Sequence, residues 1–301
     1  MMQTTGRSRC LAASLSLASL SLMLVACLVV ACGNGTMPSS STATELPASV
    51  QSSAGQPLPS GSTPSLSLDT TPEMLPAEGL YALVYDGPVA AEGAPEAVAA
   101  VVEDIGLAVT FISDISGLPG LLEDAAVFII GGTEDDLSPL FNAFTPQVDA
   151  AFKDYLQSGG RYLGICGGGY LASTGWDEYG TWVPMLGIVP AESGVIDENE
   201  EPRILPIDWL GETYPMYFQY GPTFTLTPTS EDVRIIAYYS EGQIAALLSS
   251  HGQGKVAVSG PHPEAEEDWA EEAVDGEDWT STTTLLADLL EELLSGDPVN
   301  P

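Results

Sequence analysis

Cys166 lies where a predicted strand meets a predicted helix, in the segment GRYLGICGGGY over residues 160–170. A nucleophile at such a turn has strained backbone, and neighbours without a Cβ let the turn close and a substrate approach. With Gly164 and Gly168 beside it, the pattern is the cysteine counterpart of a nucleophile elbow. The helix N-terminus favours a thiolate. The alternative is a packed thiol in a phosphate-binding turn, although no Lys-Ser/Thr follows as in a Walker loop.

A candidate base and its orienting partner follow a second predicted strand, residues 255–259. His262 and Glu264 are separated by one proline. A nucleophilic cysteine needs a base, and the base needs a group that holds its imidazole. The alternative is a surface turn shaped by the proline. His251, the other histidine, lies in a predicted hairpin turn and is the weaker candidate.

The two motifs together resemble the class I glutamine amidotransferases: Gly164-x-Cys166-x-Gly168 is followed at a distance by His262-Pro263-Glu264. The strings GRYLGIC over residues 160–166 and SGPHPE over residues 259–264 look most like the amidotransferase-like domain at the amino terminus of some biotin–protein ligases, which also occurs alone. The resemblance covers about residues 80–294.

The resemblance implies a role for each residue of the two motifs. Cys166 would be the nucleophile, His262 the base and Glu264 its orienter. The backbone N–H groups of Gly132 and Gly167 would form the oxyanion hole. We expect no ligase domain, biotin-acceptor domain or ATP-using synthetase after this domain, so the resemblance does not imply biotin ligation.

Short apolar segments alternate with helical patterns from residue 80 onward. The predicted strands are 80–85, 107–112, 125–130, 161–165, 203–207, 214–218, 223–226, 233–239, 243–248 and 255–259, and the predicted helices are 95–105, 148–156 and 285–294. This order predicts an α/β fold, flavodoxin-like and class I amidotransferase-like, with a mostly parallel sheet, helices on both faces and a β-rich second half. Such sheets place their sites beyond the carboxyl ends of the strands. Five acids within residues 192–201 predict an exposed loop.

The charge of the chain restricts its partners. Of 301 residues, 42 are Asp or Glu and 7 are Lys or Arg, so the net charge is −35. This excludes nucleic-acid binding through a basic face and adhesion to anionic lipid headgroups. Two histidines leave little room for a His-rich metal site. We therefore expect no metal, no cofactor and no nucleic-acid partner.

Residues 264–278 contain nine acids, which Trp269 interrupts. The simplest interpretation is a solvated acidic face. A calcium site is a second interpretation, but the run lacks the Asp-x-Asp-x-Asp-Gly order of a calcium loop. In a third, negative charge near His262 opposes formation of the thiolate and repels anionic substrates, which predicts a neutral or cationic substrate.

The amino terminus is typical of an export signal. Arg7 and Arg9 precede an uncharged apolar run over residues 11–31. Cys32 follows Val-Val-Ala and resembles the lipidated cysteine of a bacterial lipoprotein; Cys27 is a second match by residue type. The run is also long enough to span a bilayer as an uncleaved anchor, and simple secretion is a further interpretation. Each places the domain outside the cytoplasm.

The predicted organisation has four segments: a lipoprotein signal peptide over 1–31, a flexible Ser/Thr/Pro-rich tether over 32–75, an amidotransferase-like domain over 76–297 and a tail over 298–301. The expected location is extracytoplasmic, anchored to the cell membrane or outer membrane through lipid on Cys32. If the signal peptide is cleaved off and Cys32 is lipidated, Cys166 is the one cysteine that remains free.

Two functions are consistent with these features. The first is a Cys-His-Glu hydrolase or acyl-transferase that acts on an amide-type bond of a small molecule or peptide. The alternative is a non-catalytic surface binding module on the same scaffold. A redox role is weaker because there is no resolving cysteine. Two predicted loops, over residues 174–184 and 219–222, contain four aromatic residues that either line a cleft or pack, and we expect at least half to pack: Trp176, Tyr179, Trp182 and Tyr220.

Overall fold

The computed structural model describes residues 80–228 and 232–299. The predicted signal peptide, its cysteines Cys27 and Cys32, and the tether over residues 32–75 lie outside these residues and stay predictions. Within the two described ranges, no helix is long and apolar enough to cross a membrane.

Thirteen strands and seven α-helices occupy the described residues. The strands are β1 (Tyr81–Tyr85), β2 (Ala108–Ile112), β3 (Ala125–Ile130), β4 (Arg161–Ile165), β5 (Gly175–Glu178), β6 (Thr181–Pro184), β7 (Ala191–Gly194), β8 (Arg203–Trp209), β9 (Glu212–Phe218), β10 (Thr223–Leu226), β11 (Val233–Tyr239), β12 (Ile244–His251) and β13 (Gly254–Ser259). The α-helices are α1 (Ala94–Asp104), α2 (Leu118–Leu121), α3 (Ser138–Ala143), α4 (Pro146–Gln157), α5 (Gly167–Ala172), α6 (Glu267–Glu272) and α7 (Thr283–Leu294). Short 3₁₀ turns cover Ile115–Gly117, Leu122–Asp124 and Gly276–Asp278.

Eleven strands form one mixed sheet with the order β2-β1-β3-β4-β13-β12-β11-β8-β9, and β10 connects β12 to β7. The five strands from β2 to β13 are mutually parallel. The remaining pairings are antiparallel and come from the second half of the chain. The predicted fold class, including the β-rich second half, is confirmed. β5 and β6 form a separate hairpin.

The four inner parallel strands, β1, β3, β4 and β13, are buried on both faces, which explains their mostly apolar sequences, whereas the edge strand β2 is partly exposed. In β3, Val127 and Ile129 face the cluster that contains residues of α1 and α7. Phe128 and Ile130 face the opposite cluster, where α4 packs. The edge of the Phe152 ring meets Phe128 with centroids 5.5 Å apart. Because side chains alternate along a strand, a six-residue apolar run fills both layers.

Several elements differ from the sequence predictions. The expected exposed loop over residues 192–201 is wrong at its start, because Ala191–Gly194 forms β7 and pairs with Thr223–Leu226. Ala191 and Ser193 are buried and Glu192 between them is exposed, which is the alternation of a strand. The alternation is too short to be recognised in a sequence segment that is rich in acids. The expected loop over residues 174–184 contains the β5–β6 hairpin. Part of the acidic run forms α6.

Candidate active site

Cys166 occupies the turn between β4 and α5. Its backbone angles, φ of 50° and ψ of −110°, lie outside the regions that residues other than glycine ordinarily adopt. The Cys166 N–H donates to the Ser259 carbonyl at 2.8 Å. Since Ile165 also pairs with Ser259, the last residues of β4 and β13 are adjacent. The thiol therefore lies at the carboxyl edge of the parallel sheet, beside the segment that carries His262.

Three glycines let this turn approach its neighbours closely. A Cβ on Gly167 would lie 1.9 Å from Thr133 Oγ1, and one on Gly168 would lie 2.0 Å from the Ile130 carbonyl oxygen. A Cβ on Gly164 would lie 2.4 Å from the Gly168 carbonyl oxygen. A side chain would fit at Gly164 or Gly168 only if neighbouring backbone moved, and at Gly167 only if the Thr133 side chain moved. Because α5 has only six residues, its dipole adds little to the stabilisation of a thiolate.

His262 and Glu264 form a buried pair behind the thiol. Glu264 has no exposed surface, and His262 is 5% exposed. His262 Nδ1 lies 2.9 Å from Glu264 Oε1, and the His262 backbone N–H donates to the Tyr217 carbonyl at 2.9 Å. The imidazole is close enough to Cys166 for that side chain to raise the pKa of His262, while the thiol donates to the Gln219 carbonyl oxygen at 3.6 Å. The structure thus brings together all three side chains that the sequence singled out.

The charge state of His262 follows from this burial. Burial by itself disfavours the charged ring, but the charges of Glu264 and Cys166, with hydrogen bonds to both, outweigh it and raise the pKa of His262 to about 10. The folded protein therefore favours an imidazolium at neutral pH. Since Nδ1 faces Glu264, Nε2 is the nitrogen left for the thiol.

Gly132, the first predicted oxyanion donor, lies in the loop after β3 and against the imidazole. A Cβ there would lie 3.0 Å from His262 Cε1. Gly167, the second predicted donor, follows Cys166 and lies against Thr133, the residue after Gly132. Outside the helices and strands of residues 80–228 and 232–299, no backbone hydrogen bond uses the N–H of either glycine. Gly167 lines the space in front of the sulfur, whereas Gly132 is buried and does not line it.

Two aromatic residues cover His262, and the sequence analysis gave neither of them a role beside the histidine. The Tyr217 and Trp269 ring centroids lie 5.6 and 5.7 Å from the imidazole and 5.5 Å from each other. Burial, with the nearby charges of Glu272 and Cys166, raises the pKa of Tyr217 to about 12. Trp269 belongs to the acidic run. Its closeness to His262 and Glu264 along the chain is the sequence signal that could have predicted its contact with the imidazole.

A cavity of about 350 Å³ opens in front of Cys166. Three of the four loop aromatics line it, Trp176, Tyr179 and Tyr220, so the expectation that at least half only pack is wrong. The β5–β6 hairpin supplies two of these three and places Tyr179, which is 97% exposed, at its tip. No acid of residues 264–278 whose side chain is described lines the cavity. Five other carboxylates do: Glu134, Asp135, Asp177, Glu178 and Glu198.

His251, the weaker candidate base, lies far from this arrangement. β12 runs antiparallel to β13 and pairs His251 with Gly254, at the beginning of β13. His262 follows the opposite end of that strand. His251 Nδ1 lies 2.9 Å from the Ile188 carbonyl oxygen.

The described residues contain no group of three or more His, Cys, Asp or Glu side chains arranged to hold a metal ion. Apart from Glu264, the acids of α6 and its flanks whose side chains are described are exposed, including Glu266, Glu267, Asp268 and Glu271. The interpretation of this run as a solvated face fits that placement.

Comparisons with known proteins agree with the geometry in part. Residues 116–178, about a fifth of the chain, match the family model described as biotin-protein ligase, N terminal. The matched segment includes Gly132 and Cys166 and ends before His262. No curated protein matches the chain.

Solved structures extend the likeness beyond that segment. A glutamine amidotransferase from Thermotoga maritima is 11% identical, with 73% of this chain and 100% of that chain covered and a TM-score of 0.50. The fold is amidotransferase-like. Another solved glutamine amidotransferase is 16% identical over 62% of this chain and 90% of its own, with a TM-score of 0.47. The amidotransferase-like fold places Cys166 and His262 at the carboxyl edge of its sheet.

Proposed function

We propose that this chain is a cysteine-dependent hydrolase or acyl-transferase that acts on an amide-type bond. The observation that carries the proposal is the buried His262–Glu264 pair beside a cysteine that also lines a cavity. A carboxylate that holds an imidazole against a thiol is the arrangement that activates a cysteine nucleophile.

The reaction has two halves. The Cys166 thiolate attacks the carbonyl carbon, and the N–H groups of Gly132 and Gly167 stabilise the negative oxygen that forms. His262 donates its proton to the leaving amine as the C–N bond breaks, which leaves a thioester on Cys166. The neutral imidazole then accepts a proton from water or an acceptor amine, which attacks the thioester and releases Cys166. Glu264 keeps the ring in place throughout.

The test measures alkylation of Cys166 by iodoacetamide in the full-length chain, with the modified peptide resolved by mass spectrometry. Replacing His262 with Ala should slow alkylation at neutral pH by about tenfold or more, because the imidazolium stabilises the attacking thiolate. His251→Ala is the matched control and should change the rate by less than about twofold. Thermal unfolding of both variants, with His262→Gln as a second replacement, distinguishes loss of activation from loss of folding. A thiol that is unreactive, or whose reactivity ignores His262 in folded variants, would favour the non-catalytic binding module.

A second part of the proposal concerns location. The chain is exported, and lipid on Cys32 anchors it outside the cytoplasm. The positive start, the apolar run over residues 11–31 and the cysteine after Val-Val-Ala support this. Metabolic labelling with an alkyne fatty acid should mark the wild type and Cys27→Ala but not Cys32→Ala. Label retained by Cys32→Ala would contradict the assignment.

A further inference from the structure

The cavity in front of Cys166 is lined by carboxylates and by no Lys or Arg among the described residues. Glu134 and Asp135 follow β3, Asp177 and Glu178 belong to β5, and Glu198 follows β7. These acids come from three segments that the fold brings to one opening, and all five are exposed. Their charges therefore act on whatever enters the cavity.

Every Lys and Arg of the described residues is engaged elsewhere. Lys153, Arg203 and Arg234 pair with Asp149, Asp197 and Glu292, respectively. Arg161 and Lys255 donate to carbonyl oxygens at the end of α7, Leu293 and Glu292. A substrate carboxylate in the cavity would have five negatively charged neighbours. No Lys or Arg side chain of the described residues would be free to pair with it. A free amino acid with an α-carboxylate is therefore a poor fit.

Tyr220 reports the negative potential at the mouth of the cavity. Burial, followed by the charges of Glu200, Tyr179, Glu198 and Asp135, raises the pKa of Tyr220. The three carboxylates among these neighbours disfavour a further negative charge at neutral pH, and the same field attracts a cation.

The aromatic residues that line the cavity also favour a positively charged ligand. Trp176, Tyr179 and Tyr220 line the cavity, as does Tyr170 from α5. The Tyr170 and Trp176 rings meet at 72° with centroids 5.6 Å apart, which forms an aromatic corner beside Cys166. Ring faces attract ammonium and guanidinium groups, and carboxylates around the rings add to that attraction. An uncharged apolar substrate would use the rings but gain nothing from the five acids.

From this lining we infer that the substrate is a cationic acyl compound, an amide or ester that carries an ammonium or guanidinium group within reach of the cavity mouth. The inference rests on the proposed function of Cys166. The five carboxylates and the aromatic residues hold the positive group, while the scissile carbonyl lies against the sulfur. Free glutamine carries an α-carboxylate, and this lining of five acids does not fit that group.

The test compares two thiol reagents of the same reactive group and opposite charge. In both 2-(trimethylammonium)ethyl and 2-sulfonatoethyl methanethiosulfonate, the Cys166 sulfur attacks the reagent sulfur, forms a disulfide and displaces methanesulfinate. Rates are measured on the full-length chain by mass spectrometry of the Cys166 peptide. The cation-to-anion rate ratio is then divided by the same ratio for free cysteine. At low ionic strength, we expect a corrected ratio of about ten or more.

Two variants with equal changes in charge locate the effect. The first neutralises the cavity acids, Glu134→Gln, Asp135→Asn, Asp177→Asn, Glu178→Gln and Glu198→Gln, and should lower the ratio by at least about threefold. The control neutralises five exposed acids near the amino ends of the strands, Glu103→Gln, Asp104→Asn, Glu123→Gln, Asp124→Asn and Asp154→Asn, and should keep the ratio within about twofold of the wild type.

The inference is overturned by a wild-type ratio near one, or by a ratio that neutralising the cavity acids does not lower. Its failure is separate from failure of the proposed function. Iodoacetamide is uncharged, so the His262 dependence of its rate reports activation of Cys166 alone. A ratio near one with His262-dependent alkylation rejects the cationic substrate and keeps the hydrolase. A high ratio without His262 dependence rejects the hydrolase and keeps a cation-binding cavity.

Discussion

The two sides of Cys166 differ in their access to water. Behind the sulfur, Glu264 and His262 are buried, and Tyr217 and Trp269 cover the imidazole. In front of it, the carboxylates of the cavity are exposed. In a buried site the effective dielectric constant is low, so one charge has a large effect. Exposed charges act together and are screened by salt over about 10 Å at 0.1 M. The buried side is suited to the proposed activation of the thiol, and the open side to the proposed selection of a cationic substrate.

Removal of the buried charge should have the largest effect on the reactivity of Cys166. Glu264→Gln leaves a hydrogen-bonding group of the same size but removes the charge that favours imidazolium. We expect alkylation of Cys166 at neutral pH to slow by about tenfold, approaching the effect of His262→Ala, because Glu264 acts on the thiol through the imidazolium. Glu266→Gln, two residues later and exposed, is the control and should leave the rate unchanged. Equal rates in the two variants would mean that the buried side does not activate the thiol.

The close packing of the elbow should make its glycines intolerant of substitution. Gly168→Ala places a Cβ against the Ile130 carbonyl oxygen, where 2.0 Å is available. The free energy of unfolding in urea should fall by about 2 kcal/mol, the usual cost of overpacking. Gly120→Ala is the control, because nothing lies within 4 Å of a Cβ there and its φ is not positive. It should be neutral or stabilise by up to about 1 kcal/mol. Similar losses in both variants would contradict the packing argument.

The pH dependence of stability should identify the charge on His262. Its pKa is raised from 6.5 to about 10 in the folded protein, so the charged ring stabilises the fold below about pH 6.5 and loses that effect as the pH rises through 10. The difference in unfolding free energy between the wild type and His262→Gln should therefore shrink by at least about 1 kcal/mol between pH 6 and pH 10. A difference that stays constant, or grows with pH, would show that the ring is neutral.

Added salt should produce the smallest effect, and only on the open side. The corrected cation-to-anion ratio at Cys166 should fall to within about threefold of one at 1 M ionic strength, where screening acts over about 3 Å. Alkylation by uncharged iodoacetamide should change by less than about twofold, because the buried pair is shielded from ions. If salt changes the corrected ratio and the iodoacetamide rate by the same factor, the two sides of Cys166 do not differ in how strongly ions screen their charges.

Much of the scaffold could be predicted because its signals are local. β3 and β4 have the predicted bounds, since each is an apolar run between polar or glycine residues. Cys166 and His262 each follow a predicted strand, and parallel strands end at one edge. That argument predicts their proximity without any knowledge of the register.

The open side could not be predicted in the same way. Glu134, Asp177 and Glu198 are separated along the chain, and only the folded loops bring them to one cavity. The dense acidic run after Glu264 was the obvious source of negative charge, yet its described acids are exposed outside the cavity. Composition identifies an acidic protein but does not identify the face on which its acids matter.

The β5–β6 hairpin has a consequence for how the protein could change its substrate. It pairs only with itself, since both of its strands lie outside the large sheet. Yet four of its residues line the cavity, from Trp176 to Tyr179. Cys166, His262 and Glu264 are held by other strands and their loops. If the proposed function holds, exchange of this hairpin for one of another sequence would give the same three side chains a new recognition surface, so that selectivity could change without the residues proposed for catalysis.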